Sequence, residues 1–402
     1  MVEVLRSRVV GPLELYATEF ATELLRQGYT ASGASQHLCF IAHLSRWMAG
    51  KTLAVSALTP TVTEKYLAGR RAAGYTNYRS AKALRPLLDY LGSLGVLPPP
   101  ETVVLSPADA LLADYRRYLI GERGLTAATA RCYMDAVRAF VVGRIRVDRR
   151  ELAELSAGDV TGFMLGPARV KTKRPSKVQV SALRSLLNWL HVEGLIPGTL
   201  AGSVLAVAGW RLSALPRALE PQQLHQLLAS CDRRSATGRH DFAIMLLLSR
   251  LGLRCGEVAR LSLDDIDWRV GQVILPGKEN REERLPIPID VGGAIHNYLR
   301  RGRPCTAKGR NIFVRVKAPH RGLTSCGITM VVFDAGQRAG LGKLHAHRLR
   351  HTAATAMLRA GTPLAEVGQV LRHRQALTTA IYAKVDRDAL RVLARPWPGV
   401  VS

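Results

Sequence analysis

The first half of this 402-residue chain repeats itself. Ala83-Leu84-Arg85, Leu87-Leu88, Leu91, Gly95 and Pro98 return as Ala182-Leu183-Arg184, Leu186-Leu187, Leu190, Gly194 and Pro197, always 99 positions later, and Tyr90 meets Trp189 at the same shift. Upstream, Gly28-Tyr29-Thr30-Ala31 matches Gly124-Leu125-Thr126-Ala127 at a shift of 96, so the second copy has gained a few loop residues. Each copy reads as one structural module of about 90 residues.

Within each copy the leucines fall at the spacing of one helix face: Leu84, Leu87, Leu88 and Leu91, then Leu183, Leu186, Leu187 and Leu190. Gly95 and Gly194 stop those helices as left-handed caps, each with a proline three residues on. Thr30 and Thr126 are N-caps, because a threonine hydroxyl accepts from the orphan N–H groups of a starting helix. Each module is therefore expected to be a small all-helical bundle. PPPETVVLSP (98–107) is a Pro-rich spacer between them, and residues 205–221, ending in LPRALEP, join the second module to the remainder of the chain.

From about Leu219 the texture changes. A helix through Phe242–Leu251 ends at Gly252 and another starts near Gly256. Val273-Ile274-Leu275 and Leu285-Pro286-Ile287 flank the polar turn GKENREER, which predicts a hairpin. Helices resume through Ala294–Arg300, Ile328–Arg338 and Arg350–Arg359, then Leu364–Leu371, opened by Thr362 with Pro363 at its first position. The expected fold is mainly α with a small antiparallel β-sheet.

Lys and Arg number 57 against 31 Asp and Glu, a formal charge of +26 that points to a polyanionic partner, nucleic acid before an anionic membrane. The excess is spread: residues 219–402 hold 29 basic and 15 acidic side chains, leaving 28 and 16 before them. A basic tail would concentrate charge, whereas an even division suits two halves that both face phosphates. The start, MVEVLRSRVV, lacks a signal-peptide core, and the longest apolar stretches, such as FAIMLLL, are too short to span a bilayer. A protein neither secreted nor embedded in a membrane is expected. Six scattered cysteines without a C-x-x-C pair read as reduced thiols, packed as small core residues.

The residues that stand out are Arg254 in GLRCGEVARL, Lys278 at the hairpin turn, His347 and Arg350 in HRLRHTAAT, His373 in LRH, and Tyr382 in TTAIYAKV. In this order and spacing, with Tyr382 nine residues after His373 and Lys278 24 after Arg254, the chain resembles the tyrosine recombinase (phage integrase) family. That family's pattern is G-x-R-x-x-E-x-x-x-L, a hairpin lysine, H-x-L-R-H, L-G-H and a tyrosine. The likeness covers 219–395 closely and 107–212 loosely. Two positions depart from it: Arg372 stands for the glycine of L-G-H, and Glu279 for the second glycine of the hairpin.

The resemblance implies a core-binding helical module at 107–212 before a catalytic domain with a C-terminal tail helix at 219–402; the N-terminal helical DNA-binding module at 1–100 goes beyond that plan and is read as a second module of the core-binding type, because the repeat pairs it with the first. The resemblance also implies a site-specific recombinase of a mobile element, an integrase or transposition enzyme, that cleaves and rejoins DNA through a 3′-phosphotyrosyl intermediate. A catalytically inactive, architectural member of the same fold is the alternative, and a relaxing enzyme of the type IB topoisomerase kind a third reading.

Transesterification of a phosphodiester needs a nucleophile, charge stabilisation at phosphorus and an acid for the leaving oxygen. Tyr382 would be the nucleophile. Arg254 and Arg350 would each offer a planar fork to the non-bridging oxygens, as lysine does less well. His347 and His373 would donate to the phosphate or move the tyrosine proton, and Lys278 would protonate the leaving 5′ oxygen. No metal or other cofactor is needed. Zinc held by His345, His347 and His351 is set aside, since neither cysteine nor carboxylate completes the set.

Arg281 and Arg284 on the hairpin are read as DNA contacts. Lys171, Lys173, Arg174 and Lys177 of the basic loop KTKRPSK either grip phosphate or are simply solvated. The partners implied are double-stranded recombination sites, a homotetramer on that DNA and further recombinases encoded alongside. The setting implied is the bacterial cytoplasm, at the nucleoid. Leu390, Val392 and Leu393 give the tail an apolar face that docks either on its own domain or on a neighbouring protomer.

Overall fold

The sequence repeat is a repeat of helices. In the computed structural model, which describes residues 8–98, 105–145, 148–165, 176–206, 218–276, 282–372 and 376–383, two sets of four follow one another. The first is α1 (Ala17–Arg26), α2 (Ala31–Ala49), α3 (Pro60–Ala72) and α4 (Ala81–Ser93). The second is α5 (Pro107–Gly121), α6 (Ala127–Arg144), α7 (Ala157–Leu165) and α8 (Lys177–Val192). Thr30 caps α2 by accepting from Gly33 N at 3.1 Å, and Thr126 caps α6 by accepting from Thr129 N at 3.2 Å. Gly95 and Gly194, both at φ +69°, turn the chain out of α4 and α8 through the left-handed region, where a Cβ would be strained.

Each set has its own core. Leu84, Leu87 and Leu91 pack with Phe20, Leu24, Leu38 and Leu44, all buried. Leu183, Leu186, Leu187 and Leu190 pack with Leu111, Leu112, Tyr115 and Phe140. Fully burying each such side chain contributes about 1.5–3 kcal/mol. The pair Tyr90 and Trp189 diverges: Trp189 is buried against Tyr115, ring centroids 5.2 Å apart, while Tyr90 stays half-exposed and its hydroxyl donates to Glu19 at 3.1 Å. By Cα proximity the chain forms two units, residues 101–211 and residues 1–100 together with 212–402.

The third core is built on α10 (Ala236–Arg250), where Ala243 to Leu248 are all buried. FAIMLLL is thus a central core helix, and no helix among the described residues is long and apolar enough to cross a membrane. Around it lie α9 (Pro221–Ala229), α11 (Cys255–Arg260), α12 (Ile289–Arg301), α13 (Ser325–Arg338) and α14 (Ala346–Arg359). The chain continues through α15 (Leu364–Val370) and α16 (Ala376–Ala383). Pro363 occupies the N-cap of α15, one position before the place expected for it.

The hairpin is present as β2 (Gln272–Pro276) and β3 (Glu282–Pro286), and β1 (Ile266–Asp267) adds a third antiparallel strand in the order β1-β2-β3. Register pairs Val273 with Leu285, Ile274 with Arg284 and Leu275 with Glu283. Val273 and Leu275 face the core, and β3 turns Glu283 and Leu285 to the same side. The cysteines depart from expectation. Cys231 is buried and Cys255 half-buried, but Cys39, Cys132, Cys305 and Cys326 are exposed, because they fall on the outer faces of their segments.

Candidate active site

Gly252 closes α10 at φ +60°, and a Cβ there would come within 2.5 Å of Leu371 Cδ2. Only glycine combines that conformation with that approach. The tight exit places Arg254 two residues later, at the N-cap of α11, with Glu257 in the first turn. Glu257 accepts from the Arg254 backbone N–H at 2.7 Å and from its guanidinium at 2.8 Å, so one carboxylate both caps the helix and orients the arginine.

Arg350 lies on α14, 2% exposed, and donates from its two terminal nitrogens to the carbonyls of Gly252 and Leu371. Arg254 donates to the next carbonyl, that of Arg372, at 2.9 Å. Two guanidiniums from separate helices therefore converge on consecutive backbone oxygens. Burial first, and the neighbouring Arg254 charge second, push Arg350 down to about 10, which leaves it cationic at neutral pH.

Arg372, the departure from the family glycine, explains itself here. Its backbone takes φ +53°, the left-handed conformation that glycine adopts freely. Its side chain is buried and makes two ion pairs, with Glu257 at 2.6 Å and with Glu283 of β3 at 3.4 Å. Arg372 thus links the α11 carboxylate that orients Arg254 to the hairpin strand. Burial would raise the Glu257 carboxyl, but the Arg254 N–H and the Arg372 charge outweigh it and hold it below its ordinary range.

Beside Arg350, on the same side of α14, the rings form a column. His347 meets His351 with centroids 4.4 Å apart, and His351 meets Tyr382 of α16 at 5.4 Å. Tyr382 is 1% exposed and packs with Ala354, Val367 and Leu371. Burial raises its phenol, against a lowering by Arg350. Burial, then Arg350 and Arg254, lower His347; burial, then His347 and Arg350, push His351 down to about 4. Leu371 joins the two halves of the site: its side chain touches the Tyr382 cluster while its carbonyl receives Arg350.

Of the residues expected from sequence, Arg254, His347, Arg350 and Tyr382 are brought together. Arg284 is an exposed β3 residue paired with Glu282 at 3.5 Å, and Lys177 is exposed at the start of α8. Lys278, Arg281, His373, Lys171, Lys173, Arg174 and the tail at 384–402 lie outside the described residues. Glu283 is the residue sequence reading missed. Its alternation on β3 was the available clue, since an acid on the inward side of a strand asks for a buried partner. Among the described residues no three His, Cys, Asp or Glu side chains gather as a metal-ligand set.

The chain is thus mainly helical with a small antiparallel sheet, and its third core holds paired arginines, a histidine and a tyrosine in one place. Two solved structures share its fold. One is the XerH site-specific recombinase bound to palindromic difH substrate in a post-cleavage complex, 18% identical, TM-score 0.55, covering 73% of this chain and 98% of that one. The other is a lambda integrase dimer bound to a COC′ core site, 16% identical, TM-score 0.53, covering 73% and 98%. In sequence, an integrase/recombinase of Sinorhizobium fredii, y4rA, is 39% identical over 97% of this chain and 95% of its own length. Tyrosine recombinase XerD of Listeria monocytogenes is 30% identical over 70% and 96%. The phage integrase family profile matches residues 217–388. The chain belongs to the phage integrase family of tyrosine recombinases.

Proposed function

We propose that this chain is a site-specific DNA recombinase, the integrase or transposition enzyme of a mobile element, that breaks and rejoins strands through a 3′-phosphotyrosyl bond. The observation that carries the reading is the convergence of Arg254 and Arg350 on the carbonyls of Arg372 and Leu371, with Tyr382 packed on the same leucine. In the reaction the Tyr382 phenolate attacks phosphorus, the bond to the 5′ oxygen breaks, and that oxygen takes a proton from Lys278. The free 5′-OH of another strand then attacks the phosphotyrosyl bond and releases the phenol, so phosphodiester number is conserved. Arg254 and Arg350 stabilise the charge that builds on the non-bridging oxygens, and His347 and His373 donate to the phosphate or carry the phenolic proton.

Arg350 enters this chemistry already oriented, since two of its donors are fixed on carbonyls and its remaining edge is free of a carboxylate partner among the described residues. The buried phenol sets a condition. Tyr382 reaches a phosphate only when α16 exposes it, so binding of DNA and release of α16 belong to one step. The protein works as three parts, 1–100, 107–212 and 219–402, clamped on double-stranded recombination sites in the bacterial cytoplasm, as a homotetramer joined through the C-terminal tail. Recombinases encoded beside it are further partners.

A plasmid carrying the DNA that flanks this protein's own gene tests the reading. Wild-type protein should generate recombinant junctions there and Tyr382→Phe none. Relaxation of a supercoiled plasmid lacking any such site, without junctions, would identify a topoisomerase-like enzyme instead. DNA binding without either activity would leave only the architectural alternative.

A further inference from the structure

Arg70, in the last turn of α3, is a buried cation with no anion beside it among the described residues. It is 9% exposed, Nε meets no acceptor, and Nη2 makes one long bond to the Asn77 carbonyl at 3.4 Å. Its neighbour Arg71, by contrast, pairs with Glu64. What surrounds Arg70 is aromatic: its guanidinium carbon lies 3.9 Å from the Tyr75 ring centroid, 5.2 Å from Phe40 and 6.0 Å from Tyr66. Ring faces offset part of the cost of desolvating a guanidinium, but they do not replace an anion for its in-plane donors, one of which has only the Asn77 carbonyl.

Arg70 lines a cavity of about 580 Å³ together with Ser32, Ser35, Gln36, His43 and Asn77. The four α2 residues, with Cys39, recur at i, i+3, i+4, i+7 and i+11, so they form one helical face. The opposite face of α2 carries Leu38, Ile41, Leu44 and Met48 into the core. The face turned to the cavity offers hydroxyl, amide and imidazole groups, and no acid lines it among the described residues. From Ser32 to His43 it runs roughly 16 Å, at 1.5 Å per residue. That is the rise of about five base pairs along a duplex axis, enough to follow more than one phosphate of a strand. A free phosphate would use one end of such a track; a backbone strand uses all of it.

We propose that this groove in the first module seats a DNA backbone strand, with Arg70 donating to a phosphate oxygen and the α2 face of Ser32, Ser35, Gln36 and His43 lying along the strand. The inference rests on the reading of the chain as a DNA recombinase and adds to it a second place of contact. A buried guanidinium held among aromatic rings is pre-oriented for a charge-assisted bond to phosphate. The module then lengthens the DNA contact without adding base readout at this point, because backbone contacts position rather than specify.

Full-length protein and a fluorescein-labelled duplex of mixed sequence, followed by anisotropy across a potassium chloride series, decide it. Arg70→Gln should weaken binding about three- to tenfold at moderate salt and flatten the slope of log K against log salt by about one, the loss of one phosphate contact. Gln36→Glu is exposed and isosteric, so it should keep the wild-type melting temperature and weaken binding by charge repulsion alone; it decides the matter if Arg70→Gln folds poorly. Unchanged affinity and slope in both variants overturns the proposal. A melting temperature raised by inorganic phosphate in wild type but not in Arg70→Gln, with equal duplex affinity, also overturns it and leaves a free-anion site. Failure of the wild-type protein to bind duplex at all overturns the recombinase reading itself, and the groove with it.

Discussion

The imidazole of His351 stands edge-on to the phenol of Tyr382, ring centroids 5.4 Å apart and planes at 60°. That contact ties the helix bearing His347 and Arg350 to α16, which bears Tyr382. It also depends on charge state, because the column His347, His351, Tyr382 already faces Arg350 and has no room for another cation.

Acid should therefore loosen the column. His351 sits at about 4 in the folded protein, below the unfolded value of about 6.5. A histidine depressed in this way favours the folded state fully above its unfolded pKa, and that contribution is lost as pH falls from about 6.5 towards about 4. His347, lowered for the same reasons, acts with the same sign. For a half-buried ring the loss is on the order of 2 kcal/mol. Thermal midpoints should fall between about pH 7.5 and about pH 5, and His351→Phe should show a shallower fall. Equal slopes would remove His351 from the account.

Arg372 carries two opposing terms, a strained backbone and a pair of buried ion contacts. Arg372→Met keeps the φ of +53° and strips Glu283 and one side of Glu257 of their partner, so urea unfolding should show a loss of about 2–4 kcal/mol. Arg372→Gly relieves the backbone by about 1 kcal/mol and should be the milder of the two. The reverse order would mean that the backbone at 372 is not strained, and a loss near zero in Arg372→Met would mean that the ion pairs contribute nothing.

Glu257 is the anion shared by Arg254 and Arg372. Glu257→Ala leaves Arg254 without its carboxylate and Arg372 with Glu283 alone, and removes a negative charge that acts on Arg350, so it should cost about 3–5 kcal/mol, with DNA cleavage reduced at least about tenfold. Glu257→Gln retains an acceptor for the Arg254 backbone N–H and should lose less of both. Paired unfolding curves and cleavage rates measure it.

Gly252→Ala tests how Arg350 is held. The new methyl would meet Leu371 at 2.5 Å, in a left-handed backbone, which costs about 1–2 kcal/mol before any clash. Since the Gly252 carbonyl receives Arg350, cleavage should fall more than DNA binding does. A variant with wild-type cleavage would show that this carbonyl does not set the arginine.

How much could be read from sequence depends on how local each interaction is. The leucine stripes of α4 and α8, the threonine caps at 30 and 126 and the glycine stops at 95 and 194 are set by neighbours within a few residues, and all are found. Arg254 with Glu257 is likewise a contact three residues apart. Arg372 is different: its partner Glu257 lies 115 residues away, and the contact needs a left-handed backbone that no periodicity announces. β1 is two residues long, too short for alternation to register. The exposed cysteines escaped because a small thiol suits either side of a helix, and Arg70 because its surroundings come from three separate segments.

The most direct measurement is peptide mapping of the adduct formed on a nicked suicide duplex carrying a recombination half-site. The account predicts a DNA strand joined through its 3′ phosphate to the peptide containing Tyr382, absent in Tyr382→Phe although that variant still binds the duplex. An adduct on another residue, one joined through a 5′ phosphate, or cleavage that persists in Tyr382→Phe would contradict it.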